Sequence, residues 1–127
     1  MIGISNIQES HFLKNLYPQG LDLDEIILDS VHLSYDGPTL KLYIQSKKLP
    51  ESPPKKWTSQ YDTVRIELEL FETSAIDMRR WGRQNLCDVK ISKSDETLRV
   101  HVKGEDCSIE VQTKWIYFRS ISPFLTD

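Results

Sequence analysis

Apolar and polar residues alternate through most of the second half of the chain, from Tyr61 to Ile121. Between Thr63 and Leu70, aliphatic residues occupy one parity and charged residues the other. Side chains of a strand point alternately to opposite faces, so this pattern predicts an antiparallel strand that is buried on one face only. Similar segments follow at intervals of about ten residues, with turn residues between them. The first of these elements contains Ile76, Met78 and Arg80. The predicted inward sets of the strands after it are Cys87, Val89 and Ile91; Leu98, Val100 and Val102; and Cys107, Ile109 and Val111.

The first half of the chain predicts a hairpin and one helix. Alternation from Val31 to Tyr35 and from Leu40 to Ile44 flanks the turn pair Asp36-Gly37, which is typical of a hairpin. Upstream, a short helix is predicted to end at Pro18 and Gly20. Asn6 is its proposed N-cap, and Glu9 would complete a capping box. Its apolar face would consist of Ile7, Phe12, Leu13 and Leu16.

Two further segments complete the predicted architecture. Residues 46–54 are rich in proline and lysine, which indicates an exposed loop within one domain of residues 1–127. Trp115–Phe118 is apolar throughout, so we expect the last strand to be covered on both faces. The predicted fold class is mainly β (or α+β): an antiparallel meander or Greek-key sheet folded on itself, with one short N-terminal helix.

Size and charge narrow the classes of function. A chain of 127 residues buries roughly two thirds of its unfolded surface, so its core needs no disulfide or metal ion to be stable. The net charge of −3 disfavours a nucleic-acid partner, and no apolar run is long enough to cross a bilayer. The N-terminus lacks the pattern of a secretory signal, so we expect a cytoplasmic protein. Cys87 and Cys107 are expected to be reduced, buried thiols, although the sequence leaves a disulfide open.

The pattern of reactive residues favours no enzyme. His11, His32 and His101 are isolated from other ligand types, and the five glycines form no phosphate-binding loop. Glu67 and Glu69 would lie about 7 Å apart on one strand face. Outward glutamates beside an arginine are more often cross-strand ion-pair partners than an acid–base pair. We therefore expect no catalytic residues, no metal and no cofactor.

Three tryptophans raise the alternative of a small-ligand site. Trp57, Trp81 and Trp115 are many indoles for a small domain, and Tyr43 is predicted to point outward. Such residues most often pack at the edge of a core, and an aromatic platform for a carbohydrate-like ligand is the alternative. Trp81 stands at a turn close to Arg80 and Arg83, where a core side chain is not needed.

The order of motifs in the second half resembles a known family. The motifs are Trp57, the glutamate-rich strand Val64–Phe71 and the turn Trp81–Asn85. Their order resembles that of immunity proteins of bacterial polymorphic toxin systems, and the immunity protein 50 family is the most similar of these. The resemblance spans roughly Trp57 to Ile121, with a looser similarity in Val31–Ile44. The predicted helix and the proline–lysine loop contribute nothing to it.

This resemblance implies a non-catalytic inhibitor that binds one cognate toxin protein and blocks its active site. The expected mechanism combines electrostatic complementarity with a buried aromatic anchor. Trp81 with Arg83 is the candidate anchor, and the acidic candidates are Asp22, Asp24, Glu25, Glu67 and Glu69. For each of these residues a solvated surface position is the plain alternative. For the whole chain, the alternative is a carbohydrate-like ligand-binding β domain that uses exposed aromatics.

Overall fold

The alternating segments of the sequence form the strands of one bent sheet. The structure is a computed structural model and describes residues 7–8, 10–57, 60–83 and 85–126. Its elements are β1 (Ile7–Gln8), α1 (Ser10–Leu16), β2 (Ile26–Ser34), β3 (Thr39–Ser46), β4 (Thr63–Phe71), β5 (Ala75–Arg80), β6 (Leu86–Ser94), β7 (Thr97–Gly104), β8 (Ser108–Thr113) and β9 (Trp115–Phe124).

The strand order combines a meander with a Greek key. The nine described strands lie in the order β1-β9-β4-β3-β2-β6-β7-β8-β5. Strands β2, β3 and β4 are successive antiparallel neighbours. Strands β6, β7 and β8 are also successive neighbours, and β5 returns beside β8, which is the Greek-key arrangement. The predicted fold class is confirmed; only the short β1–β9 pair is parallel.

The sheet divides into two half-sheets that share one core. The first half-sheet contains β1, β9, β4, β3 and β2, and the second contains β6, β7, β8 and β5. In the described strand ladder they join where β2 pairs with β6, at Ile26–Cys87 and Ile27–Leu86. Inward residues of both half-sheets and of α1 form one continuous apolar cluster. Its largest fully buried members are Leu13, Ile26, Leu28, Leu40, Leu42, Ile44, Val64, Ile66, Leu68, Leu70, Ile109 and Ile116.

The predicted start of the helix is wrong. The described helix begins at Ser10, and Ile7 belongs to β1, where it pairs with Ile116 of β9. The buried Ile7 therefore joins the core from a strand, because the free side of β9 offers its backbone partners there. Leu13 and Leu16 are buried as predicted. The proposed capping residues, Asn6 and Glu9, and the side chain of Phe12 lie outside the described residues.

The expectation that β9 is covered on both faces is also wrong. Ile116 and Phe118 are buried, but Trp115 on the other parity is 43% exposed. Tyr117 is half-buried by a neighbour in its own sheet, since its ring meets that of Phe71 edge-on at 5.2 Å. The outward face of β9 is therefore shielded in part by neighbouring side chains of the same sheet.

Asp62 ties the C-terminal segment to the start of β4. Its carboxylate accepts hydrogen bonds from the backbone N–H and the hydroxyl of Thr126, at 2.9 and 2.6 Å. The Thr63 hydroxyl donates a third bond at 2.9 Å, and Lys47 Nζ lies 3.5 Å away. These donors, above all Thr126, hold the pKa of the Asp62 carboxyl well below its usual range.

The low pKa of Asp62 predicts an acid-sensitive contribution to stability. The ionised carboxylate is favoured in the folded state, so this contribution is complete above the usual aspartate pKa of about 4 and is lost as the pH falls through the lower folded value. Asp62→Asn should therefore flatten the loss of unfolding free energy between about pH 5 and pH 2, as measured by urea denaturation at each pH. Equal acid slopes in both proteins would contradict this role. Asp36→Asn, at an exposed hairpin turn, is the matched control.

Candidate partner-binding surfaces

The acidic segment before β2 bridges the two half-sheets. Asp22 forms an ion pair with Lys48, which follows β3. Asp24 Oδ1 lies 2.6 Å from Nζ of Lys90 on β6, and this hydrogen bond raises the pKa of Lys90. Two of the three predicted acidic residues in this segment are therefore paired internally, with one lysine from each half-sheet.

Glu25 differs from its neighbours because its side chain is free while its backbone is fixed. Its φ of 54° lies in the left-handed region, and its backbone N–H donates to Asp88 Oδ1 at 2.8 Å. The residue is exposed, and its carboxylate forms no ion pair with any described residue. Of the acidic candidates in this segment, Glu25 is the one left available to a partner.

The two glutamates of β4 are paired across the sheet. Glu67 lies 3.5 Å from Lys41 Nζ of β3, and Glu69 accepts a hydrogen bond from Arg119 Nε of β9 at 2.7 Å. The side chain of Glu69 is only 13% exposed. The cross-strand ion pairs expected from the sequence are thus present on this face.

Aromatic rings and arginines extend this network over the outward face of the first half-sheet. The guanidinium of Arg119 lies over the rings of Phe71 and Tyr117, at 5.3 and 5.1 Å. Arg65 lies over Tyr43 at 4.9 Å and pairs with Asp29 at 3.0 Å. The charges of this face largely neutralise one another, so its glutamates offer little unpaired negative charge to a basic partner.

Sequence reasoning missed Arg119 and Asp29 because each is the extra residue of a β-bulge. The register shifts between Glu67 and Leu68 where β4 meets β9, which leaves Arg119 unpaired in the ladder. The shift between Leu28 and Ser30 does the same for Asp29. A bulge changes the parity of the residues after it, so a strict period of two cannot place these side chains.

The turn that carries Trp81 and Arg83 has a tightly fixed backbone. The Gly82 N–H donates to Oδ1 of the buried Asn85 at 2.8 Å. A Cβ atom at Gly82 would lie 2.6 Å from that of Asp106, so a side chain there would collide with the β7–β8 turn. The residue is glycine because of this close approach.

From this fixed turn Trp81 projects into solvent. Its side chain is 47% exposed, and Arg83 is exposed and forms no ion pair with a described residue. Just upstream on β5, Ile76 and Met78 are 42% and 44% exposed. The sequence assigned both to one element of the sheet, but it gave no signal that β5 ends the sheet. The structure therefore joins the predicted anchor to an apolar stretch that the sequence did not identify.

A separate open pocket of about 420 Å³ contains three aromatic rings. Trp57 and Tyr61 meet edge-on, with ring centroids 5.4 Å apart, and Phe124 completes the aromatic part of the lining. Neither Trp81 nor Trp115 lies in this pocket. Of the three tryptophans, Trp57 is thus the one placed where a small ligand would meet aromatic faces.

The described part of the chain contains neither a membrane-spanning helix nor a cluster of metal ligands. Its helix is too short to cross a membrane. No three His, Cys, Asp or Glu side chains there come together as the ligands of a metal ion would.

Comparison with known protein families identifies the family of this chain. The family model described as immunity protein 50 matches residues 9–124. The chain belongs to the immunity protein 50 family. No curated protein and no solved structure gives a match. The match to immunity protein 50 is broader than the resemblance noted in the sequence, since it includes the helix and the proline–lysine loop.

In this member of the immunity protein 50 family, the two cysteines lie close to Gly104. Cys87 and Cys107 are free and buried, and the Cys87 thiol donates a hydrogen bond to the Asn85 carbonyl at 3.1 Å. Gly104 lies beside them, and a Cβ there would come within 2.1 Å of the Leu86 carbonyl oxygen. Burial, followed by the neighbouring Cys107, raises the pKa of Cys87 to about 12. Burial also raises the pKa of Cys107.

These pKa values predict unreactive thiols. Thiolate is the species that alkylates, so iodoacetamide at pH 8 should label Cys87 and Cys107 only after denaturation, as counted by intact mass. The native protein should lose stability as the pH rises from about 9 toward 12, because the unfolded thiols ionise first. Rapid labelling of either native thiol would contradict the assignment. The denatured protein, labelled twice, is the internal control.

Proposed function

We propose that this protein is a non-catalytic immunity protein that binds one cognate bacterial toxin and inhibits it by protein–protein contact in the cytoplasm. The observation that carries the proposal is the family match over residues 9–124. An inhibitor that is already in its binding conformation loses less conformational entropy when it binds its toxin. The continuous core and the internally paired outer face are compatible with such a protein.

The distribution of charge favours an anchored interface over broad acidic mimicry. Asp22, Asp24, Glu67 and Glu69 all have cationic partners within the chain. A partner that used these four carboxylates would have to displace those partners. Trp81 and Arg83 are exposed on a rigid turn, and Trp and Arg are residue types that often dominate binding energy. We therefore assign the anchoring role to this turn, with Glu25 as the unpaired acidic group.

The proposal predicts a stoichiometric complex that protects cells. Tagged protein should capture the toxin encoded by the adjacent upstream gene, and the two should elute together at a fixed molar ratio. Co-expression should restore the growth of cells that produce the toxin, because a tightly bound inhibitor blocks the active site. A toxin from an unrelated gene pair is the control and should neither bind nor be neutralised. Absence of both the complex and the rescue would overturn the proposal.

The aromatic pocket supports a second candidate, a site for a carbohydrate-like ligand. Sugars stack on aromatic faces, and Trp57, Tyr61 and Phe124 supply three rings in one open pocket. Titration with a panel of sugars, followed by tryptophan fluorescence, tests it. A saturable change that Trp57→Phe diminishes and Trp81→Phe retains would support the candidate. An unchanged spectrum across the panel would oppose it.

A further inference from the structure

Strand β5 is a free edge of the sheet. It pairs with β8 on one side, and no described strand lies on its other side. All six residues from Ala75 to Arg80 are exposed. A free edge presents backbone N–H and C=O groups that have no partners in the sheet, which makes it a template for another strand.

An apolar row of the core continues onto this edge and stops there uncovered. Ile76 stands opposite Val111 and Met78 opposite Ile109, and both partners on β8 are fully buried. Ile76 and Met78 are nevertheless 42% and 44% exposed, because no described strand lies beyond β5 to cover them. With Trp81 they form a stretch of exposed apolar side chains at one edge, a feature typical of interaction surfaces. We call Ala75–Arg83 the β5 edge segment.

The charge of the β5 edge segment is positive, although the chain is acidic. The segment carries three arginines and one aspartate, whereas the chain has a net charge of −3. Arg79 is paired with Asp77 at 3.3 Å, but Arg80 and Arg83 form no ion pair with a described residue. Asp106 lies against Gly82 and pairs with neither arginine. The two unpaired guanidinium groups are complementary to carboxylates.

The other free edges in the described structure offer less. Strand β1 has two residues, and β9 beyond Tyr117 has no described partner on that side, but Arg119 there is already paired with Glu69. Beyond Ile27, β2 has no ladder partner on its β6 side, and Leu33 and Tyr35 are 60% and 97% exposed, but the stretch from 26 to 35 contains no lysine or arginine. Across this gap, β6 beyond Cys87 carries no large exposed apolar side chain. The β5 edge segment therefore has the most extensive combination of unpaired backbone, apolar surface and unpaired charge.

We propose that the cognate toxin binds by adding an acidic, extended segment to β5 as a further strand. The inference rests on the proposed immunity function. The backbone of the toxin segment would pair with β5 from Ala75 to Met78, and its inward side chains would cover Ile76 and Met78. Trp81 would fill a pocket on the toxin, while toxin carboxylates would meet Arg80 and Arg83.

The bulge in β5 limits this pairing. The register against β8 shifts between Met78 and Arg80, which makes Arg79 the extra residue. Bulges at a sheet edge interrupt regular pairing and discourage association of identical edges. A toxin segment would thus pair only with the short stretch from Ala75 to Met78. Side-chain contacts at the turn of Trp81 and Arg83 would supply the remaining specificity.

Affinity measurements on matched variants test the docking surface. The probe is the purified toxin encoded by the adjacent upstream gene, titrated by calorimetry against the full-length chain. Trp81→Ala, Ile76→Lys and the double variant Arg80→Glu/Arg83→Glu should each weaken binding by roughly 30-fold or more, as expected for central interface residues. Leu33→Lys and Lys93→Glu introduce similar changes at exposed positions away from β5, and should stay within about threefold of the unmodified chain.

Hydrogen exchange gives a test that needs no substitution. The outward amides of β5 should exchange rapidly in the free protein and become protected in the complex, because they gain hydrogen-bond partners from the toxin strand. The amides of β7, a central strand, should change little. Circular dichroism and thermal unfolding of each variant establish that a loss of affinity is not a loss of fold.

The outcomes separate the two proposals. Weakened binding by folded β5 variants together with protection of β5 supports strand addition. A tight complex that leaves β5 unprotected and tolerates all three variants overturns the docking surface and leaves the immunity function standing. If Leu33→Lys weakens the complex and Ile76→Lys does not, docking lies at the β2 edge and the proposal is overturned. Homodimerisation of the chain through β5 would also overturn it. No complex with the unmodified chain would overturn both proposals.

Discussion

Burial of the inward faces of two half-sheets in one shared core is the constraint on which the rest of the structure depends. The half-sheets are joined in the ladder by two residue pairs between β2 and β6, so this junction alone does not fix their relation. The acidic segment before β2 reinforces it, since Asp22 and Asp24 pair with lysines from the two sides. A second link lies at the corner where β4 leads to β5, where the Lys114 N–H donates to the Phe71 carbonyl at 3.1 Å.

This use of charge explains why most of the acidic surface is a poor guide to binding. Carboxylates that hold the half-sheets together, or that neutralise arginines across β4 and β9, already have partners. The free groups lie elsewhere: Glu25 beside the junction, and Arg80 and Arg83 near the edge of the second half-sheet. An interface formed there would add new ion pairs without breaking those that stabilise the fold, which lowers the cost of binding.

The family match includes two segments outside the alternating strands. Immunity protein 50 matches almost the full length, including the helix that packs on the core and the loop whose Lys48 pairs with Asp22. Neither segment contributes to the resemblance noted in the sequence. Their contribution is structural, through buried leucines in one case and an ion pair in the other.

The sequence by itself determined most of the strands, most of the inward residues and the hairpin turn at Asp36-Gly37, because side-chain parity and turn chemistry are local properties of the chain. It also identified Trp81 as an unusual turn residue. Tertiary structure alone decided which inward residues are covered: Met78 and Val111 have the same parity, yet only Val111 has a strand on each side. It likewise decided the positions of three bulge residues and their ion pairs. Arg119 pairs with Glu69 on the neighbouring β4, Asp29 pairs with Arg65 two strands away, and Arg79 pairs with Asp77 on its own strand. Exposure and pairing depend on strand order, and strand order is set by packing of distant segments that a local pattern does not encode.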